Sequence, residues 1–291
     1  MPQFPRFNRE PPPPGIVYNT SMTTPDAALA LGALWAYEGA RRARVGGVCV
    51  TGGGYKAALF CDIVNQHYKP GKPIGNDALA VGLADFGNLP PDGPMVSVPV
   101  DRLDASGEPL YLRTLTRPAD TSLAEAHLRN AITFNAESSI VLSAPASSLA
   151  RSLQIVAARD LYSEPVRRLI LVESPRLYAD REALEYLLGS WPTPIVMLSA
   201  ETAEPFALPS DSLDAAFGDA AAHPVVDAYR AFAQTPYVVP TADLLAVMYA
   251  VEPDSAVFRL VPGTGNTDRL EIRPESATTV NPALLAAASA A

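Results

Sequence analysis

Cysteine is nearly absent from this sequence: among 291 residues there are two, Cys49 and Cys61. One falls in a predicted strand and the other in the helix after it, so they read as two buried thiols rather than a disulfide or a metal pair. A reducing compartment is the simplest inference. Histidine is almost as sparse, with His67, His127 and His223 alone, none at a predicted strand end; each reads as a surface or helix-end residue rather than a base. Positive charge is also short. The 22 Lys and Arg residues against 31 Asp and Glu leave a formal net charge of -9, with no basic run carrying interleaved aromatics. That disfavours wholesale binding to nucleic acid, whose phosphates demand a basic face. No stretch reaches the roughly 18 apolar residues of a membrane span, and the N-terminal stretch lacks the continuous apolar core of a secretory signal. The expectation is a cytoplasmic protein with neither a membrane nor a nucleic-acid partner.

Proline and apolar residues are plentiful, at 29 prolines and 48% hydrophobic content. Disorder throughout is therefore excluded, and a sizeable core is expected. Much of the proline lies in residues 1–14, which predict an extended, polyproline-like arm, either mobile or laid on a neighbouring surface. Residues 15–280 read as one α/β domain with no internal linker. Residues 281–291 are Ala-rich and are expected to fray. A homo-oligomer is the expected assembly.

The chain alternates short apolar runs with helical stretches, the pattern of an open, mostly parallel sheet with helices on both faces. A strand over 16–20 leads through a polar turn into a helix running to about Arg42. Its start is marked by Thr24 as a cap, Pro25 at the first helical position and Asp26 at the positive helix end. The helix is apolar on every face from Ala27 to Trp35, which predicts burial against the sheet and a second layer. A second strand, over 45–51, and a helix over 55–67 repeat that unit across the turn Gly52-Gly53-Gly54. The pattern loosens over 69–120, where a strand is predicted near 95–100 and the length suggests a functional excursion or lid. Regularity returns with helices over 122–134, 147–159, 180–188, 225–233 and 241–251, and strands over 139–143, 168–172 and 194–198. Two antiparallel strands close the pattern, over 257–261 and 269–272.

In such sheets ligands bind at the carboxyl ends of the strands. That places the turn Asn19-Thr-Ser-Met-Thr-Thr-Pro-Asp26 at a candidate site, with Glu173 after a later strand on the same edge. Gly53 and Gly54 could cradle a phosphate on backbone N–H groups, or form a tight turn with no ligand. Asp26 and Asp243 each fall in the first turn of a helix, where capping alone accounts for aspartate. Tyr18 and Tyr55 could stack on a base or simply pack.

Four segments in order resemble the inosine-uridine preferring nucleoside hydrolases. That family opens with Asp-x-Asp-Pro-Gly-x-Asp-Asp-Ala after its first strand, where this chain has Asn19 to Ala27. Its Gly-Asn turn after the second strand corresponds to Gly52-Gly53-Gly54. Its Gly-Pro-Leu-Thr-Asn-Leu-Ala segment is similar to Ala144-Pro-Ala-Ser-Ser-Leu-Ala150, and its His-Asp-Pro-Leu-Ala-Val to Ala242-Asp-Leu-Leu-Ala-Val247. The resemblance implies a nucleoside-hydrolase-like fold and a calcium ion whose bound water attacks an N-ribosyl bond while a carboxylate takes the proton. Carried over, Asp26 and Asp243 match two metal-binding aspartates, and Ser147 the threonine that offers its main-chain carbonyl. Asn19 and Ser21 replace the first two aspartates, one of them the candidate base, and Pro25 replaces the aspartate that grips the ribose. Gly53 or Gly54 replaces the turn asparagine and Ala242 the late histidine, and no Glu-x-Asn follows Glu173. The resemblance thus implies a protein with lost or altered N-glycosidase activity that keeps a ribosyl-type small-molecule pocket around Asn19, Ser21, Gly53 and Gly54. Asp26 and Glu173 are the candidate catalytic groups, and calcium, if held, falls to Asp26, Ser147 and Asp243. An active metal-assisted hydrolase and a structural or partner subunit are the alternatives.

Overall fold

A computed structural model describes residues 12–70, 81–85, 87–133, 137–155, 158–218 and 222–290; residues 1–11 of the expected arm over 1–14 lie outside them. The first half comprises β1 (Gly15–Thr20), α1 (Pro25–Gly39), β2 (Arg44–Val50), α2 (Tyr55–Tyr68), β3 (Gly82–Leu83), α3 (Pro94–Asp101), β4 (Ser122–Leu123), α4 (Ala124–Thr133) and β5 (Ser138–Ser143). After it come α5 (Ser147–Leu153), α6 (Ala158–Ser163), β6 (Val166–Val172), α7 (Arg181–Ser190), β7 (Ile195–Leu198), α8 (Ala200–Ala203), β8 (Leu208–Pro209), α9 (Ser210–Phe217) and α10 (Pro224–Phe232). The chain ends with β9 (Val238–Val239), α11 (Ala242–Val251), β10 (Phe258–Pro262), β11 (Thr267–Ile272) and α12 (Ala277–Ser289).

Nine strands form one sheet in the order β10-β11-β7-β6-β5-β1-β2-β3-β4, parallel except for the β10–β11 pair. Successive side chains of β1 feed opposite faces: Ile16 and Tyr18 join one apolar cluster and Val17 the other. This two-sided burial explains why the strands read as continuous apolar runs. β1 lies inside the sheet beside the middle strand β5, and the chain leaves it first toward β2 and later returns to β5 on its other side. Such a reversal opens a crevice beyond the carboxyl ends of β1 and β5, where a ligand can enter.

α1 lies among α2, α10, α11 and α12, which is why it is apolar all round. On the opposite face α4 approaches the sheet closely over Gly47, whose added Cβ would stand 2.8 Å from Ala131 Cβ and 3.0 Å from His127 Nε2. Glycine here makes room for His127, which is buried rather than at the surface as expected. Cys49 and Cys61 are buried thiols that are not joined in a disulfide, in agreement with expectation.

Three expectations about elements need correction. The predicted strand near 95–100 is the helix α3; its Val-rich run mimics a strand, but Val98 is exposed while Met95, Val96, Pro99 and Val100 are buried, a helical spacing. The predicted helix over 147–159 is split, α5 ending at Leu153 and α6 starting at Ala158. The tail expected to fray is helical: α12 runs to Ser289, and its Val280, Leu284 and Ala288 are buried against the core. Composition misled there, because alanine at helical spacing packs closely against α1. The described part of the 69–120 excursion is pinned down. The Asp62 carboxylate accepts the Leu115 N–H at 2.9 Å and the Thr114 hydroxyl at 2.8 Å. The Tyr111 hydroxyl likewise donates to Asp227 at 2.6 Å.

Leu284→Ala is expected to lower the unfolding free energy by about 2 to 5 kcal/mol, the usual range for emptying a fully buried leucine site. Urea denaturation measures it, and a loss within about 0.5 kcal/mol would mean that the tail does not pack.

Candidate functional site

The carboxyl ends of β1, β5 and β6 and the start of α11 meet around two buried aspartates. Asp243 is wholly buried and Asp26 is 3% exposed. Burying a carboxylate without partners costs several kcal/mol, and Asp243 has partners on both oxygens. The Tyr18 hydroxyl donates to its Oδ2 at 2.6 Å and the Ser143 hydroxyl to its Oδ1 at 2.6 Å. The Arg176 guanidinium stands 3.8 Å from that same Oδ1. Asp26 reaches the other way: its Oδ2 accepts the Asp243 N–H at 3.2 Å, so it caps α11 rather than its own helix. Its Oδ1 has no hydrogen-bond partner. Burial, and then the neighbouring Asp243 charge, push the Asp26 carboxyl up to about 7, with Thr24 and Arg176 drawing it part of the way back. Burial and Asp243 also hold the Tyr18 phenol well above its ordinary value.

Arg176 comes from the turn after β6, which sequence reasoning searched for an absent asparagine motif and passed over. It donates to Thr24 Oγ1 at 2.7 Å, to Thr23 Oγ1 at 3.2 Å and to Ser143 Oγ at 3.5 Å. Thr24, expected as a cap, makes no side-chain cap bond; its hydroxyl serves Arg176 instead. Asp26, Glu173, Arg176, Thr23 and Thr24 line one cavity of about 410 Å³, with Val172, Pro175, Pro240 and Ala242 as apolar wall. Glu173 therefore faces the same edge as the first turn, and its carboxylate accepts from the Tyr178 hydroxyl at 2.7 Å.

Other expected residues are placed elsewhere. Asn19 is buried in a closed set of contacts: Nδ2 donates to Ser148 Oγ at 3.1 Å, Oδ1 accepts from Thr51 Oγ1 at 2.9 Å, and those two hydroxyls stand 2.6 Å apart. Ser21 is buried and its hydroxyl pairs with Thr23 at 2.8 Å. Between them Met22 adopts φ 52°, a left-handed conformation that an unbranched side chain tolerates at a cost. Ser147 opens onto a separate depression with Arg151, Asp180 and Tyr186. Tyr18 points into the core, away from any stacking role. At the glycine turn the cradle is already filled. The Asp92 carboxylate accepts the Lys56 N–H at 2.9 Å and the Ala57 N–H at 3.0 Å, where a phosphate would have bound. A Cβ on Gly53 would stand 2.4 Å from Ser21 O, and one on Gly54 2.4 Å from Asp92 Oδ2, so both positions need glycine to close the site.

Calcium, the ion implied by the resemblance, takes roughly six to eight oxygen ligands, mostly charged or carbonyl. These residues do not fit it. Both oxygens of Asp243 are engaged, a cationic side chain already stands beside it, and Ser147 lies outside the cavity. Among the described residues no group of three or more His, Cys, Asp or Glu comes together to hold a metal.

No family of known sequences matches this chain, and no curated protein matches it in sequence. Solved structures do. The chain is similar to the inosine-uridine preferring nucleoside hydrolase from Bacillus anthracis, with 13% identity, 94% of this chain and 99% of that one covered, and a TM-score of 0.64. The purine-preferring ribonucleoside hydrolase from Gardnerella vaginalis shares 11% identity over 95% of this chain and 100% of its own, with a TM-score of 0.65. The type III effector protein XopQ, solved in complex with adenosine diphosphate ribose, shares 15% identity over 97% of this chain and 95% of its own, with a TM-score of 0.70. The fold is nucleoside-hydrolase-like.

The raised Asp26 value has a stability consequence of defined sign. A carboxyl that holds its proton more tightly when folded contributes stability below its ordinary value near 4 and loses that contribution as pH rises to about 7. Asp26→Asn keeps an acceptor for the Asp243 N–H and cannot ionise. Relative to wild type it is expected to gain stability, of order 2 kcal/mol, between pH 5 and pH 8 in urea titrations. A difference that stays constant across that range would show that Asp26 does not titrate there.

Proposed function

We propose that this nucleoside-hydrolase-like protein binds a small ribosyl-type ligand in the cavity beside Asp26 and has lost or altered the metal-assisted cleavage of N-ribosyl bonds. The observation that carries this reading is the division of labour between the two aspartates. Asp243 is saturated by Tyr18 and Ser143, whereas Asp26 Oδ1 and Arg176 Nε are buried without partners beside the same cavity. Ligand hydroxyls that accept from Arg176 and pair with the Asp26 carboxyl would satisfy them, and Glu173 offers a further acceptor. A buried polar atom without a partner costs about 1 to 3 kcal/mol, so a ligand that supplies one gains affinity from it. The adenosine diphosphate ribose in the XopQ complex, a ribosyl compound on a similar fold, agrees with this class of ligand.

Metal-assisted attack needs a Lewis acid to acidify water and a base to take its proton. Ser21, which stands where the resemblance puts a carboxylate, has neither the charge nor the basicity for that role, and its hydroxyl is tied to Thr23. What remains is recognition without the cleaving group.

Calorimetry with adenosine diphosphate ribose, inosine and ribose tests the reading. At least one is expected to bind, weakened about tenfold or more by Asp26→Ala, which removes one hydrogen bond of about 1.5 kcal/mol. Inosine is expected to stay intact with or without calcium. Calcium-dependent turnover of inosine that disappears in Asp26→Ala would replace this reading with that of an active hydrolase, and no heat from any of the three would remove the pocket assignment.

A further inference from the structure

The site holds a cation that belongs to the chain. Arg176 extends from the turn after β6, and only 21% of its side chain is exposed. Its guanidinium gathers oxygens from three separate pieces of the fold: Thr23 and Thr24 from the turn after β1, Ser143 from the end of β5, and Asp243 from the start of α11. A guanidinium keeps its charge at every ordinary pH and is weakly hydrated, so it suits a partly buried ion pair better than lysine does. Cross-linking carboxylate and hydroxyl oxygens from several loops at a sheet edge is also what a hard divalent cation does. Both cannot do it here. A divalent ion at Asp243 Oδ1 would stand within a few ångströms of the guanidinium, and like charges at that range repel strongly in a medium less polar than water.

We propose that Arg176 is the resident cation of this site, taking with one fixed charge the place among Asp243, Ser143, Thr23 and Thr24 that a divalent ion would otherwise take. The protein is then independent of divalent metals, and the oxygens at its sheet edge become a cation site only when the guanidinium is withdrawn. The inference also accounts for Thr24, whose hydroxyl is diverted from its own helix to Arg176. It does not depend on which ligand the cavity takes, so its test needs none.

The experiment compares wild type with Arg176→Lys, Arg176→Gln and Arg176→Ala. Each full-length protein is stripped with a chelator and unfolded thermally at constant ionic strength, while calcium chloride is titrated in. Wild type and Arg176→Lys are expected to show no calcium-dependent change in Tm. Arg176→Gln and Arg176→Ala should start lower and rise with calcium, by about 3 °C when calcium exceeds its Kd tenfold. Methylguanidinium should restore Arg176→Ala in the same way, because it returns the missing group. If Arg176→Ala does not fold without a cation, its refolding yield with and without calcium takes the place of Tm, and recovery by calcium supports the assignment. A calcium-dependent rise in wild type equal to that of the variants overturns the proposal, since metal and guanidinium would then coexist. So does a failure of both neutral variants to respond to calcium, with no rescue of Arg176→Ala by methylguanidinium.

Discussion

A carboxylate with no exposed surface must be neutralised by its neighbours, and at Asp243 this requirement ties the crevice together. Its partners come from β1 through Tyr18, from β5 through Ser143 and from the β6 turn through Arg176. Three adjacent strands of the sheet are therefore locked at their carboxyl ends to the N-terminus of α11. Asp26 adds a fourth link by capping the same helix through the Asp243 N–H. Acting in a poorly polarisable interior, such bonds are stronger than in water and costly to break singly. The loops of this edge are held by polar contacts, and the helices behind them by packing.

The helices in turn explain why the polar cluster sits where it does. α1 is buried on all sides, so its first turn, which carries Asp26, cannot swing away from the sheet. α11 is equally buried and brings Asp243 to the same point from a position 217 residues further along the chain. Sheet order does the rest: β1, with β2 and β5 on its two sides, has its turn at the reversal point of the topology. Packing fixes the positions, and the polar groups then determine what chemistry is available there.

Much of this was legible in the sequence, for identifiable reasons. Apolar runs with turn signals gave the parallel sheet, because strands covered on both faces have no polar side to disguise them. Thr24-Pro25-Asp26 gave the start of α1, where Pro25 acts as read while Thr24 and Asp26 turn to Arg176 and α11 instead. Asp26 and Asp243 were marked as a pair by resemblance, and they do meet. Arg176 was invisible because an arginine in a Pro-containing turn has no periodicity and no motif; its meaning lies in the oxygens brought to it by segments far away in sequence. Ser143 was hidden at the end of β5, whose pattern declared only burial, and Tyr18, read as able to stack or pack, gave no sign of its bond to Asp243. Asn19 was misleading in the opposite way, since a polar residue at a strand end suggests a ligand until Thr51 and Ser148 are seen to satisfy it.

Taken together, the polar groups of this edge share one property. At three places on this edge where a polar group could meet a ligand, the chain has supplied an internal partner. Thr51 and Ser148 occupy the Asn19 amide, Asp92 occupies the N–H groups at the start of α2, and Tyr18, Ser143 and Arg176 occupy Asp243. Such self-satisfaction makes a rigid edge, because every internal partner is covalently tethered and costs no translational entropy to hold. It also narrows recognition to what is left over. Among the described residues lining the cavity, the buried side-chain atoms without partners are Asp26 Oδ1 and Arg176 Nε. In the reading proposed above, the ligand lies against Val172, Pro175, Pro240 and Ala242 and reaches these buried atoms through a hydroxyl. That reading rests specificity on the few buried atoms the chain has left without partners.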